Sequence, residues 1–369
     1  MTDAQPGLYL HVPFCSAKCP YCDFYSLAAP NLIQPWLEGL ERETRLYQNR
    51  FAGFDTVYLG GGTPSRLPVP ILAQVLALLR SSFPIEPGAE VTLEANPEDV
   101  TPELVKTALA GGVNRFSLGV QSFHDRELEL LGRRHSSEKA ARAIEIIRAA
   151  GVNNLGLDLM YGLPDQNLAD WFETLAQAVS FNPEHLSCYQ LTVEEGSIFA
   201  RSRERNRLNL PDEEASRGFF LATARFLEAR GYLHYEVSNF ARGPGHRSRH
   251  NHKYWRHAPY LGLGPAAHSY KDGVRWWNHR SIREYCRDLI EGRRPAAGSE
   301  TLTEEQTALE KIYLGLRTKD GLDLGRLDRS GRNLVRTWER RALATVNQGR
   351  IVLTVEGLAV ADHLAVELA

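Results

Sequence analysis

No apolar run in this 369-residue chain approaches the roughly 20 residues that a membrane-spanning helix needs, so no helical anchor is expected. An excess of one charge is missing too. The chain carries 43 Lys+Arg against 45 Asp+Glu, a formal net charge of −2, which excludes the global basic field of a dedicated nucleic-acid binder. The opening MTDAQPG holds neither a basic nor an apolar region, so no secretory signal is read and a cytoplasmic protein is expected. Cysteine is sparse, at 5 in the whole chain. So few, and an odd number, cannot make a disulfide scaffold, and clustered thiols in a reducing compartment read as metal ligands or redox groups. The remainder is ordinary for a globular protein: 43% hydrophobic and 24% charged residues bury a sizeable core, and the length favours more than one domain.

Short β-branched or apolar runs recur at 8–12, 56–59, 90–94, 115–120, 154–160 and 185–191. Stretches with helical spacing separate them, over 31–50, 70–82, 102–110, 137–150 and 167–180. Thr101-Pro102-Glu103 has the form of a helix start, and Gly111-Gly112 and Gly151 have the form of helix stops. Alternating strands and helices imply parallel pairing with right-handed crossovers. Six such units favour an α/β fold built on a partial (β/α)6 barrel, with an open doubly wound sheet as the competing arrangement. After Leu191 the rhythm breaks. Residues 195–215 read as a polar connection around the barrel rim, 213–231 as a helix, and 232–280 show little periodicity. Helices are expected over 303–317 and 331–346, and GRIVLTVEGLAVADHLAVEL reads as a strand, a turn and an amphipathic helix. The expected organisation is a barrel core over 1–195, a barrel-associated segment over 196–298 and a small winged-helix-like α+β domain over 299–369. The last helix carries no Lys or Arg, which favours a structural or docking role over DNA binding.

In parallel βα architectures the chemistry collects at the C-terminal ends of the strands. The sequence places HVPFCSAKCPYCDFYS after the first strand, Gly60-Gly61-Gly62-Thr63-Pro64 after the second and Glu94-Ala95-Asn96-Pro97 at the end of the third. Gln121-Ser122 ends the fourth strand, and Asp158 lies in the fifth. Cys15, Cys19 and Cys22 crowd into eight positions with no fourth cysteine. A structural zinc site wants four protein ligands, and His11, in the preceding strand, is the sole nearby supplement. Three thiolates on a [4Fe–4S] cluster leave one iron open for a substrate or cofactor. Glycines admit close approach to backbone; a lone glycine triplet would be read as a tight turn, and the adjacent cysteine loop shifts that reading. Glu94, Gln121, Arg133 and Asp158 would face the same mouth, with carboxylates suiting an ammonium group or ribose hydroxyls and arginine suiting a carboxylate. Cys188 and Cys286 stand alone and read as small buried hydrophobes.

CSAKCPYC resembles the Cys-x-x-x-Cys-x-x-Cys signature of the radical S-adenosylmethionine (SAM) superfamily, and YLGGGTPS, EANPE, SLGVQSF and DLMYGLP resemble its further elements. Within that superfamily the chain is similar to the oxygen-independent coproporphyrinogen III oxidase group. The resemblance implies a [4Fe–4S] cluster on Cys15, Cys19 and Cys22. It also implies SAM contacts from Tyr9, Gly61, Gly62, Thr63, Glu94, Gln121, Arg133 and Asp158, with Tyr21 near the cluster. The group's oxidases place a fourth cysteine two residues after the third; here Asp23-Phe24 stands instead, as in the sister subfamily of haem chaperones, the HemW type. His-Asn-His-Lys-Tyr-Trp at 250–255 resembles that subfamily's haem-associated signature, which implies haem contacts from His250, Asn251, Tyr254 and Trp255, with His250 the expected iron ligand.

The surrounding residues 242–260 agree on chemical grounds. Imidazoles, arginines and aromatic rings are what haem iron, propionates and macrocycle ask for, although a basic aromatic loop also suits stacked bases. The expected protein is thus a haem chaperone with haem and acceptor haemoproteins as partners, no nucleic acid, and room for transient membrane contact. The alternative is the oxidase itself, decarboxylating coproporphyrinogen III.

Overall fold

The computed structural model describes residues 5–368; Met1–Ala4, part of the segment read for a targeting signal, and Ala369 lie outside it. Six parallel strands follow one another in space as in sequence: β1 (Gly7–Val12), β2 (Phe54–Gly61), β3 (Ile85–Ala95), β4 (Arg115–Gln121), β5 (Leu155–Tyr161) and β6 (His185–Gln190). A helix crosses over between each consecutive pair, at Ile33–Tyr47, Val69–Ser82, Pro102–Ala110, Ser137–Ala149 and Leu168–Ser180. The side of these strands that faces the crossover helices is apolar, and Leu8, Leu10, Val57, Leu59, Leu93, Leu118 and Leu157 are buried there. The Thr101 hydroxyl caps Pro102–Ala110 by accepting from the Leu104 N–H, and Gly112 and Gly151 take the left-handed backbone that ends their helices. This is the partial (β/α)6 arrangement that the strand spacing predicts.

The weakly periodic region is not irregular. It forms β7 (Leu233–Glu236), β8 (Asn239–Ala241), β9 (Tyr260–Leu263), β10 (His268–Lys271) and β11 (Val274–Asn278), and β12 (Ala296–Thr301) follows. All join one 12-stranded sheet in the order β12-β11-β10-β9-β1-β2-β3-β4-β5-β6-β8-β7. β9 runs parallel to β1, β10–β12 continue antiparallel beyond it, and at the other edge β8 and then β7 continue antiparallel beyond β6. The segment 249–255 is a helix, Arg249–Trp255, started by the Ser248 hydroxyl accepting from the Asn251 N–H.

The C-terminal region holds helices Glu304–Leu316 and Arg329–Arg340 with a small sheet of β13 (Leu322–Asp323), β14 (Ala344–Asn347) and β15 (Arg350–Leu353). The helix expected over 331–346 stops early because Ala342 adopts φ 55 and the next residues pair as β14 with β15. The basic side chains absent from the last helix, Ala361–Leu368, stand on the earlier helix Arg329–Arg340, where Arg329, Arg332, Arg336 and Arg340 are exposed. Glu236 and Arg317 tie this region to β7 by a 2.9 Å ion pair.

Candidate functional site

The strand ends of β1–β6 surround a cavity of about 700 Å3. Its mouth is the cysteine loop. That loop is pinned at the base by Gly62 N–H donating to the Val12 carbonyl at 2.9 Å and by Cys15 N–H donating to the Leu27 carbonyl at 3.1 Å. Gly62 has to be glycine: a Cβ there would stand 2.8 Å from the Val12 carbonyl oxygen and 2.9 Å from that of Phe14. Gly61 adopts φ 108, and a Cβ there would meet the His11 ring at 2.5 Å. The triplet therefore lets the cysteine loop pass against β2, and it leaves backbone bare at the cavity wall.

Cys15, Cys19 and Cys22 all line the mouth and are half-buried. Among the described residues, no three His, Cys, Asp or Glu side chains are grouped to hold a single metal ion. A chain of polar contacts links two of the cysteines. Cys15 Sγ lies 3.3 Å from Thr63 Oγ1, which accepts from Asn96 Nδ2 at 3.2 Å. Arg133 Nη2 donates to Asn96 Oδ1 at 2.6 Å and to the Gly119 carbonyl at 2.7 Å, while Nη1 reaches within 4.0 Å of Cys19 Sγ. Arg133 Nε is buried without a partner. An unpaired guanidinium N–H beside three thiols is a position built for an anionic group. Burial pushes the Cys15 and Cys22 thiols up; a bound cluster would hold them as thiolates. Asp23 and the exposed Phe24 stand at the rim beside Cys22. His11 is not free to join them, since Nε2 bonds to the Tyr25 carbonyl at 2.9 Å and Nδ1 to Tyr9 Oη at 3.1 Å.

Deeper in the cavity two carboxyl groups face the interior. Glu94 accepts from Tyr58 Oη at 2.6 Å and from the Gly61 N–H at 3.1 Å. Burial and then the Asp158 charge push its carboxyl up to about 7. Asp158 accepts from Ser117 Oγ at 3.0 Å, and burial raises it as well. Gln121 projects from the end of β4, where the register slips between Gly119 and Gln121 and Gln121 itself adopts φ 68. Bulged, left-handed backbone of this kind re-aims a side chain at a site. Tyr21 lines the mouth and packs on Phe199 at 6.4 Å.

Most of the expected SAM set thus meets in one place. Tyr9 is outside the cavity lining: it stands beside Tyr58, its register partner on β2, stacked on it at 6.2 Å and tilted on His250 at 6.3 Å. Tyr58, Ser117, Ser187 and Tyr189 share the cavity without having been picked out. Ser117 stands in phase with Gly119 and Gln121 on β4, and that period-2 signal would have found it.

The residues expected to hold haem diverge around their short helix. His250 is fully buried; Nδ1 bonds to Thr56 Oγ1 at 2.9 Å and Nε2 to Tyr254 Oη at 2.8 Å. Burial, with the Lys253 charge, lowers its pKa to about 3. Asn251 lines the floor of the cysteine cavity. Tyr254 faces a different recess, and Trp255 packs on His252 at 5.2 Å and Tyr235 at 6.1 Å. They form no single pocket, and neither imidazole nitrogen of His250 is open to a ligand.

A family model described as the radical SAM superfamily matches residues 9–178. The chain is 39% identical to the haem chaperone HemW of Mycobacterium tuberculosis, over 97% of this chain and 93% of that protein. It is 34% identical to the haem chaperone HemW of Bacillus subtilis, over 88% of this chain and 87% of that protein. With the haem chaperone HemW of Escherichia coli the figures are 40%, 71% and 69%. Among solved structures it is similar to the coproporphyrinogen III oxidase HemN of Escherichia coli, a radical SAM enzyme, at a TM-score of 0.84 and 23% identity over 98% of this chain and 89% of that one. At that identity the likeness shows the fold.

Proposed function

The chain belongs to the HemW family of haem chaperones, on a radical SAM fold, and from that premise we propose that it binds haem and hands it to acceptor haemoproteins. The observation that carries this reading is the match to haem chaperones at 39% identity along 97% of the chain. Radical SAM membership implies a [4Fe–4S] cluster and SAM, and the residues present fit both. Cys15, Cys19 and Cys22 would ligate the cluster, with Thr63 beside Cys15 and Arg133 beside Cys19. Gly61, Gly62, Thr63, Glu94, Gln121, Arg133 and Asp158 would hold SAM, with Tyr21 at the mouth and Tyr9 packed beside Tyr58. The Glu94 carboxylate and the bare glycine backbone suit the charged end of an amino acid. When bound, the cluster would supply redox chemistry at the cavity mouth.

Haem would be received around the helix Arg249–Trp255. Ligation by His250 itself requires its ring to leave Thr56 and Tyr254 and to emerge from behind β2. Among the described residues no helix is long and apolar enough to cross a membrane, and we place the work of the chain in the cytoplasm, with membrane contact confined to haem delivery. The oxidase reading draws on the volume of the cavity, about 700 Å3, which suits a large substrate; Asp23-Phe24 at its rim counts against it.

The test is an anaerobic haem titration of the cluster-reconstituted protein, followed at the Soret band, and then mixing with an apo-haemoprotein. Saturable binding followed by transfer is the expected result. Absence of saturable binding, with turnover of coproporphyrinogen III in the presence of SAM and a reductant, would overturn the chaperone reading in favour of the oxidase.

A further inference from the structure

A second recess, of about 540 Å3, lies where the antiparallel strands β9–β12 meet the helix Glu304–Leu316, and its lining shares no residue with the cysteine cavity. In the β10–β11 hairpin His268 pairs with Trp277 and Tyr270 pairs with Arg275. Directly paired residues, and residues two apart, share a face of a sheet, so these four side chains stand together. Tyr260 of β9 pairs with Tyr270 and extends that face. Tyr313 and Leu314 close the recess from the helix side, and a junction of this kind is where ligand sites concentrate.

The recess is built of flat rings. Tyr254 meets Tyr260 edge-on at 4.8 Å, and His257 meets Tyr270 edge-on at 5.6 Å. Trp277 stacks on His268 at 5.9 Å and lies over Gly298, where a Cβ would stand 2.6 Å from the indole. Packing does not explain His257. Its backbone is left-handed, φ 51, its side chain is 5% exposed, and Nε2 makes no hydrogen bond although the Glu310 carboxylate lies 3.2 Å away. His257 Nε2 thus faces the Glu310 carboxylate and adds a polar edge to the aromatic recess.

We propose that this recess receives the haem, with His268 as the axial ligand to iron and Arg275 as the cation for a propionate. The proposal rests on the haem-chaperone reading and changes where the haem sits. His268 is exposed, whereas both nitrogens of His250 are engaged. Partial burial and the Arg275 charge hold the His268 imidazole below its ordinary pKa, so it is neutral, with a lone pair for iron, at neutral pH. One solvent-facing ligand suits cargo that has to leave. Arg275 is held by Glu300 at 3.1 Å and Glu310 at 2.8 Å, so a propionate binds in competition with two carboxylates. His250 enters as a positioning residue: it holds the Tyr254 hydroxyl at 2.8 Å, and Tyr254 is part of the recess wall.

The experiment is a haem titration of the full chain, cluster reconstituted, comparing wild type with His268→Gly and His250→Ala. His268→Gly should weaken haem binding by at least about tenfold and shift the Soret band, added imidazole should restore both, and cluster absorbance should not change. Equal affinity and an unshifted band in His268→Gly, with loss confined to His250→Ala, would overturn the recess while leaving the chaperone reading intact. No saturable binding by the wild type would overturn that reading, and the recess with it.

Discussion

Glu94 sits where a titration can be read as binding. Its carboxyl is pushed up to about 7 by burial and by the Asp158 charge, so in the empty cavity it is largely protonated below that pH. On the proposed reading a SAM ammonium group would pair with the carboxylate, so binding below about 7 would have to expel a proton. SAM affinity is therefore expected to rise with pH up to about 7 and then level, and Glu94→Gln should bind weakly with a flat profile. Calorimetry of the reconstituted protein across that range checks it; a wild-type profile as flat as the mutant's would remove Glu94 from the ammonium site. The sign for stability is the opposite, because a carboxyl raised in the folded state costs the empty protein stability as pH rises from its unfolded value towards about 7, by at most ~1.4 kcal/mol per pH unit for one group. Cys19, near Arg133 Nη1, gives a cleaner outcome: Cys19→Ser should lose the cluster chromophore while its far-ultraviolet dichroism matches wild type. A retained chromophore would strike Cys19 from the ligands.

Among the elements, the turn from β2 couples fold to site most tightly. A Cβ at Gly62 would press on two carbonyl oxygens of the cysteine loop, at 2.8 and 2.9 Å, and backbone cannot step aside as a side chain can. Gly62→Ala should cost about 1–3 kcal/mol in a urea melt and lower iron content after reconstitution, whereas Gly88→Ala, where a Cβ would meet nothing within 4 Å and only the left-handed φ of 78 opposes the change, should spare the iron. The strands and helices up to Gln190 were legible because the helix-facing side of each strand is apolar and helices leave caps. The cysteines, Thr63, Glu94, Gln121, Arg133 and Asp158 were legible because strand ends are where βα loops gather. Strands β7–β11 were not, because they are short and β9–β11 carry aromatics and histidines in place of an alternating apolar face. Nor was the fate of His250. Its partners Thr56, Glu90 and Tyr58 come from β2 and β3, and no local pattern in His-Asn-His-Lys-Tyr-Trp says which of four directions each side chain takes.

Across the whole molecule, the C-terminal region shares the apolar core of the barrel through Leu316, Leu322, Val335 and Trp338, and charge ties it further. Asp320 gathers Arg247 at 3.5 Å, His252 at 3.8 Å and Arg256, and its pKa is lowered against the cost of burial chiefly by the Arg256 hydrogen bond and charge. That contribution is present above the ordinary aspartate range and fades as pH falls through the lowered folded value. Glu236 is the deeper tie: 1% exposed, it accepts from Arg317 at 2.9 Å, Asn239 Nδ2 at 2.6 Å and the Ser238 N–H at 3.0 Å. Removing one partner of a buried, hydrogen-bonded pair costs about 3–5 kcal/mol, and a partly exposed pair about 0–1 kcal/mol, so Glu236→Ala should lower stability well beyond Asp320→Ala in matched denaturant melts. The consequence extends to cargo. Helix Glu304–Leu316 ends beside Arg317 and forms one wall of the recess, whereas the cysteine cavity is lined by β1–β6 with their loops and by Ser248 and Asn251, with no residue of that helix. Loosening this docking should shorten haem retention and leave cluster absorbance and SAM affinity at wild-type values. Equal losses at both sites in Glu236→Ala would show that the two ends of the molecule share one mechanical unit, and that haem release is governed from the cluster side.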